Sequence, residues 1–265
     1  MISRISIAAA CFCTCLWTAV QARADNFEKA VSDRPRIADS LKGVGGQRPP
    51  AAIPIDMGFD ENVPAETREQ FRDDLTFVGT IQGVGATKLH EQIFKQVGSP
   101  TQVDGPTYLR WFASRIKKVG FRNDPVKRPP LAYVLAGPRL WLTQNFTTLR
   151  LPQMYRIAVM FHEARHTEPV NDGWPHVRCR KPFRDENGED IQSLFSKEPL
   201  AGEEACDRTP LGAYGTEVIM LKNIQEYCRK CTAKVRQDAG LYGDDALKRI
   251  IDAKAKKAII NDLKQ

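Results

Sequence analysis

The sequence predicts an α+β fold that is mostly helical. A small sheet or hairpin is expected to pack on one motif-bearing helix, with disulfide-stapled loops beyond it. Three observations carry this. Apolar residues recur at helical spacing along most of the chain. Residues 131–135 and 140–146 are short extended runs either side of Ala136-Gly137-Pro138, so they read as paired strands. Cys179, Cys206, Cys228 and Cys231 lie in or after a long stretch without periodicity, which suggests cross-linked loops. At 265 residues, with 42% hydrophobic and 27% charged residues, the composition is that of a soluble globular protein.

Residues 1–24 read as a secretory signal peptide. Arg4 precedes an uncharged apolar run over 7–20, and Ala22-Arg23-Ala24 supplies the cleavage pattern. The run is short for a membrane span, and Cys11, Cys13 and Cys15 lack the leucine expected before a lipidated cysteine. The expected destination is periplasmic or extracellular. Residues 25–62, rich in Gly and Pro, form an extended lead-in. Residues 63–265 form a single domain.

Within that domain a helix is predicted over 64–77, with Pro64 at its first position and Glu66 and Glu69 in its early turns. A second, over 87–97, has Leu89, Ile93, Phe94 and Val97 as its apolar stripe. His90-Glu91 begins like a zinc motif, but Phe94 fills the second ligand position, so His90 is expected on the helix surface. A third, over 106–119, presents Tyr108, Trp111, Phe112, Ile116 and Val119 to the core, edged by Arg115. After the hairpin, Pro152 opens a helix over 153–166 and Pro169 stops it. Residues 174–201 form a long loop. A helix over 216–233 follows, and Asp244 or Asp245 caps a last helix reaching about 263.

The four cysteines of the mature chain allow three pairings. Cys179–Cys206 with Cys228–Cys231 is preferred, because Cys179 and Cys206 bracket the loop-rich region. Cys228-x-x-Cys231 has redox and metal-binding alternatives, but no second cysteine pair exists to complete a four-thiolate zinc site.

The chemistry concentrates in Phe161-His162-Glu163-Ala164-Arg165-His166. On a helix, residues four apart share a face, so His162 and His166 can hold one Zn²⁺, with Glu163 beside them to take a proton from water. Three of the chain's four histidines, His162, His166 and His176, fall in one short stretch. Arg165 is expected to turn away and pair with an acid.

These residues resemble the active-site helix of zincin-type metallopeptidases. The resemblance covers this helix and the preceding hairpin. It implies a helix behind a small mixed sheet, substrate along an edge strand, His162 and His166 as zinc ligands, and Glu163 as general base and proton shuttle. A catalytic zinc needs a third protein ligand. The metzincin continuation would place Gly at Pro169 and the ligand at Asp172, and Pro cannot supply the turn that Gly makes there. Gluzincins take a Glu from a downstream helix, for which Glu217 is best placed, with Glu203 and Glu204 behind it. His176, in a loop fixed at Cys179, ranks first, Asp172 second and Glu217 third. Glu168 or Asp207 is expected to support a ligand imidazole. Tyr214, in Gly212-Ala213-Tyr214-Gly215, is expected to donate to a developing oxyanion.

Cleavage after Ala24 removes two positive charges, Arg4 and Arg23, and takes the formal charge from +7 to +5. The basic residues are dispersed, and no nucleic-acid-binding motif is present. The expected reaction is therefore hydrolysis of peptide bonds in a peptide or protein substrate, cell-wall peptides included, by an exported zinc enzyme. Two alternatives stand beside it: a non-catalytic zinc-binding protein, and a disulfide-stabilised envelope binding protein. Oligomeric state is not legible.

Overall fold

A computed structural model describes residues 57–264, except 96, 98–100, 124–129, 136 and 195. The expected signal peptide, and the lead-in up to residue 56, lie outside the described residues. The order is β1 (Gly58–Phe59), α1 (Ala65–Thr80), α2 (Lys88–Phe94), α3 (Gly105–Arg115), β2 (Lys118–Arg122), β3 (Ala132–Tyr133), β4 (Arg139–Thr143), α4 (Asn145–Thr148), α5 (Gln153–His166), β5 (Val177–Arg178), β6 (Glu204–Cys206), α6 (Ala213–Tyr227), α7 (Ala233–Lys248) and α8 (Ala253–Asp262). A 3₁₀ turn, Val170–Gly173, follows α5. The class is α+β, with two small sheets and two disulfides. No helix among the described residues is long and apolar enough to cross a membrane.

The larger sheet has the order β1-β2-β4-β3. β1, β2 and β4 run parallel, and β3 lies antiparallel on the edge, pairing Ala132 with Leu142 and Tyr133 with Trp141. The predicted hairpin is thus present, in a wider sheet than expected. Residues 118–122 depart from the prediction. Val119 was expected on the α3 face, but the helix ends at Arg115 and Ile116 turns extended, with φ −105° and ψ 118°. Parallel pairing to β4, between segments far apart in sequence, overrides the local helical spacing. The end of the lead-in also joins the fold, since β1 pairs with β2 and Asp60 pairs with Lys118 at 2.6 Å.

Helix α5 matches its predicted span. Pro152 precedes it and Thr167 ends it. Met154, Ile157, Ala158, Phe161 and Ala164 are buried at helical spacing. Phe161 stacks on Trp111, with centroids 5.6 Å apart and planes 7° apart, and it also meets Phe112 at 5.3 Å. The aromatic face of α3 is therefore core, and it seats the residue immediately before His162.

His90 is a correction. It is fully buried, with Nε2 2.9 Å from the Tyr108 hydroxyl. The apolar stripe of α2 is wider than the spacing suggested. The long helix expected over 216–233 is another. It stops at Tyr227, Cys228 and Cys231 close a disulfide, and Thr232 caps α7 by accepting from Val235 N. Asp244 and Asp245 lie inside α7, and Asp252 caps the last helix instead.

The preferred disulfides both form. Cys179–Cys206 spans 27 positions and clips β5 to β6 over a small core of Phe183 and Leu200. Its loop-closure contribution is about 3.5 kcal/mol.

A buried ion pair anchors the start of α5. Asp74 of α1 is fully buried and takes bonds from Arg156 Nε at 2.8 Å and Nη2 at 2.7 Å. Burial raises the Asp74 pKa despite the opposing guanidinium. Asp74→Ala leaves that guanidinium uncompensated, so a loss of about 3–5 kcal/mol in denaturant unfolding is expected. The double variant D74A/R156M should recover most of it. Equal losses in the single and double variants would contradict this account.

Candidate metal centre

His162 and His166 project from one face of α5, a single turn apart. His176 returns to meet them. Nε2 of His176 lies 3.0 Å from Nε2 of His162 and 3.2 Å from Nε2 of His166. His162 is buried and the other two are half-buried. Their ligand atoms all lie within 4.8 Å of one another, so the three side chains are able to hold a metal ion. Nitrogens about 2.0–2.1 Å from a tetrahedral cation would stand roughly 3.3 Å apart, close to the two spacings seen.

The second nitrogen of every ring has a partner. His162 Nδ1 faces Glu217 Oε2 at 3.2 Å, His166 Nδ1 faces the Gly173 carbonyl at 2.9 Å, and His176 Nδ1 faces Asp207 Oδ1 at 2.8 Å. All three partners can accept a hydrogen bond from Nδ1–H, and in that tautomer each Nε2 lone pair is free and pointed inward. Three converging lone pairs repel one another unless a cation sits between them, and this pattern of outer acceptors is what orients metal-ligating histidines. Burial, followed by the neighbouring imidazoles, holds the His162 pKa well below its ordinary value and lowers that of His166. Both rings are therefore disposed to the neutral form that ligates.

The turn that brings His176 back lies where the metzincin pattern fails. Pro169 stays right-handed at φ −69°. The chain reverses later, with Asn171, Asp172, Gly173 and Trp174 all at positive φ. Gly173 is required on two grounds. Its φ is +73°, and a Cβ there would stand 2.5 Å from the His166 carbonyl oxygen. Asp172 is thus a turn residue and not part of the histidine cluster.

Glu217 and Glu168 differ from their expected roles. Glu217, on α6, supports His162 as an acceptor. Its own pKa is pushed up to about 8, chiefly by burial, with Arg249 opposing. Glu168 touches no imidazole. It accepts from Arg115 Nε at 2.8 Å, Arg165 Nη1 at 2.7 Å and Trp174 Nε1 at 3.0 Å, and so ties α3 and α5 to the turn. Arg165 faces away from the cluster, as expected. Asp207 is where the sequence placed it. It holds His176 through Oδ1 and accepts the Tyr214 backbone N–H through Oδ2 at 2.8 Å.

Tyr214 opens α6. Its ring lies 4.4 Å from His162 and 4.8 Å from His176, centroid to centroid. Its hydroxyl accepts from Arg249 Nη1 at 2.8 Å. Arg249 carried no motif, being an ordinary basic residue some 35 positions from Tyr214. Only the pairing of Asp207 with the 249–251 segment brings it in.

Glu163 is half-buried beside the edge strand, where the Val134 backbone hydrogen-bonds to its carboxyl. Burial pushes its pKa up to about 8, with Glu217 adding a smaller push and the Val134 bond opposing.

The fold and the site together define a three-histidine cluster able to hold a metal ion, on an α+β scaffold. No family model, curated protein or solved structure matches the chain.

Asp207 gives a direct check of the outer contacts. Asp207→Ala should weaken zinc affinity about 10–100-fold in competition with a chromogenic chelator. Unchanged affinity would show that His176 needs no support.

Proposed function

We propose that the protein is an exported zinc-dependent peptidase. The observation that supports this best is the convergence of three imidazoles, with Glu163 on the same helix between two of them. The donor set of three imidazole nitrogens suits zinc and leaves a fourth position for a reacting molecule. When bound, zinc would supply Lewis acidity, polarising a carbonyl and making water more acidic. Glu163 would accept a proton from the attacking water and return it to the leaving amine. Tyr214, with Arg249 donating to its oxygen, keeps its own phenolic hydrogen for an oxyanion. β3 is an edge strand beside Glu163, so an extended polypeptide has backbone groups to pair with there.

The test is hydrolysis of a denatured protein by the purified mature chain. Activity should vanish with a chelator and return with one equivalent of zinc. Undiminished activity in chelator, or no cleavage of any polypeptide by the zinc-loaded protein, would overturn the reading.

A further inference from the structure

Outside the histidine cluster, Arg178, Arg180 and Arg208 converge with Ile251 and Asp252 on a cavity of about 340 Å³. Among the described residues, none of their side chains hydrogen-bonds to the three histidines. Arg178 donates to the Gly202 carbonyl at 3.2 Å and pairs with Glu204 at 2.9 Å, where both side chains are well exposed. Arg180 Nη2 donates to the Ile251 carbonyl. Among the described residues the Arg208 side chain has no hydrogen bond or ion pair. The carboxylate on the wall, Asp252, is engaged as the cap of α8, accepting from Ala255 N at 2.8 Å. Three guanidinium groups against two carboxylates leave an excess of positive charge, reinforced by the N-terminal end of α8. The volume suits a side chain or chain end rather than a folded partner.

The cavity and the histidine cluster share their scaffold. Arg178 lies two residues beyond His176, at the end of β5, where the pairing with β6 shifts register between Val177 and Arg178. Arg208 follows Asp207, the residue that holds His176, and the Asp207 carbonyl accepts from Ile251 N at 2.9 Å. A polypeptide lying at the three histidines would reach the arginines within a few residues of its own length. Guanidinium forks match carboxylates in geometry and charge. We infer that this cavity binds a carboxylate of the polypeptide ligand, so that the protein selects acidic peptides or chain ends. The inference rests on the peptidase reading for its choice of ligand.

Three labelled peptides test it on the zinc-loaded protein. One has a single Glu and an amidated C-terminus, one has Gln with a free C-terminus, and the baseline has Gln with an amide. At least one carboxylate-bearing peptide should bind tenfold or more tighter than the baseline, and which one does identifies the carboxylate. The double variant R180Q/R208Q should lose that preference while keeping its zinc. Equal binding of all three peptides, or a preference that survives R180Q/R208Q, would overturn the inference. Preferential binding without cleavage would uphold the cavity and sink the peptidase reading. Cleavage of all three at equal rates with equal affinity would do the reverse.

Discussion

Glu163→Gln is expected to keep one zinc per chain and to lose hydrolysis by about 10²–10⁴-fold, the range a positioned general base contributes. The substitution is nearly isosteric and removes no contact to the histidines. The amide can still receive the Val134 hydrogen bond through its oxygen. It cannot accept a proton from water. The loss should therefore fall on kcat, with KM little changed, and thermal stability should stay near that of the parent. Full activity in a zinc-replete Glu163→Gln protein would show that the carboxylate takes no part in proton transfer.

His176→Ala should remove stoichiometric zinc and all chelator-sensitive activity. Two ligands remain on α5, but a two-histidine site lacks the third donor that a catalytic zinc requires. The effect reaches stability as well. Metal bound to the folded chain stabilises it by about 2.7 kcal/mol at a hundredfold excess over Kd. Wild-type protein should therefore melt at lower temperature when zinc is chelated. The variant's melting temperature should not respond to zinc or chelator. Comparing the two curves separates loss of the metal from general damage. A variant that still melts higher with zinc would show that His176 is not a ligand.

The local parts of this molecule were open to reading along the chain. Pro152 and Pro169 bound the motif helix, and its apolar spacing puts Phe161 into the core and His162 and His166 together on one face. Of the three pairings that four cysteines allow, the one preferred because Cys179 and Cys206 bracket the long loop is the one that forms. Asp207 and His176 were both singled out, and the structure joins them at 2.8 Å. What was not legible depends on distant segments meeting. Val119 continues the apolar spacing of α3 in the sequence, yet it lies in strand β2 through pairing with β4. Glu217 looks as good a ligand as an acceptor until the distance to His162 Nδ1 is known. Glu168 lies two residues beyond His166, yet donors on three residues, Arg115, Arg165 and Trp174, engage its carboxylate instead. Arg249 belongs to the site only because residues 249–251 pair with Asp207. The reversal at Asn171–Trp174 was visible as a turn, but four successive left-handed residues bringing His176 back onto the motif helix were not.

X-ray absorption at the zinc edge, on protein purified with zinc and freed of excess metal, reads the three-histidine shell itself. One zinc per chain is expected, with three imidazole nitrogens at about 2.0–2.1 Å and one light-atom ligand completing the shell. Absence of bound zinc, sulfur in the first shell, or a shell of two imidazoles and a protein carboxylate would contradict it.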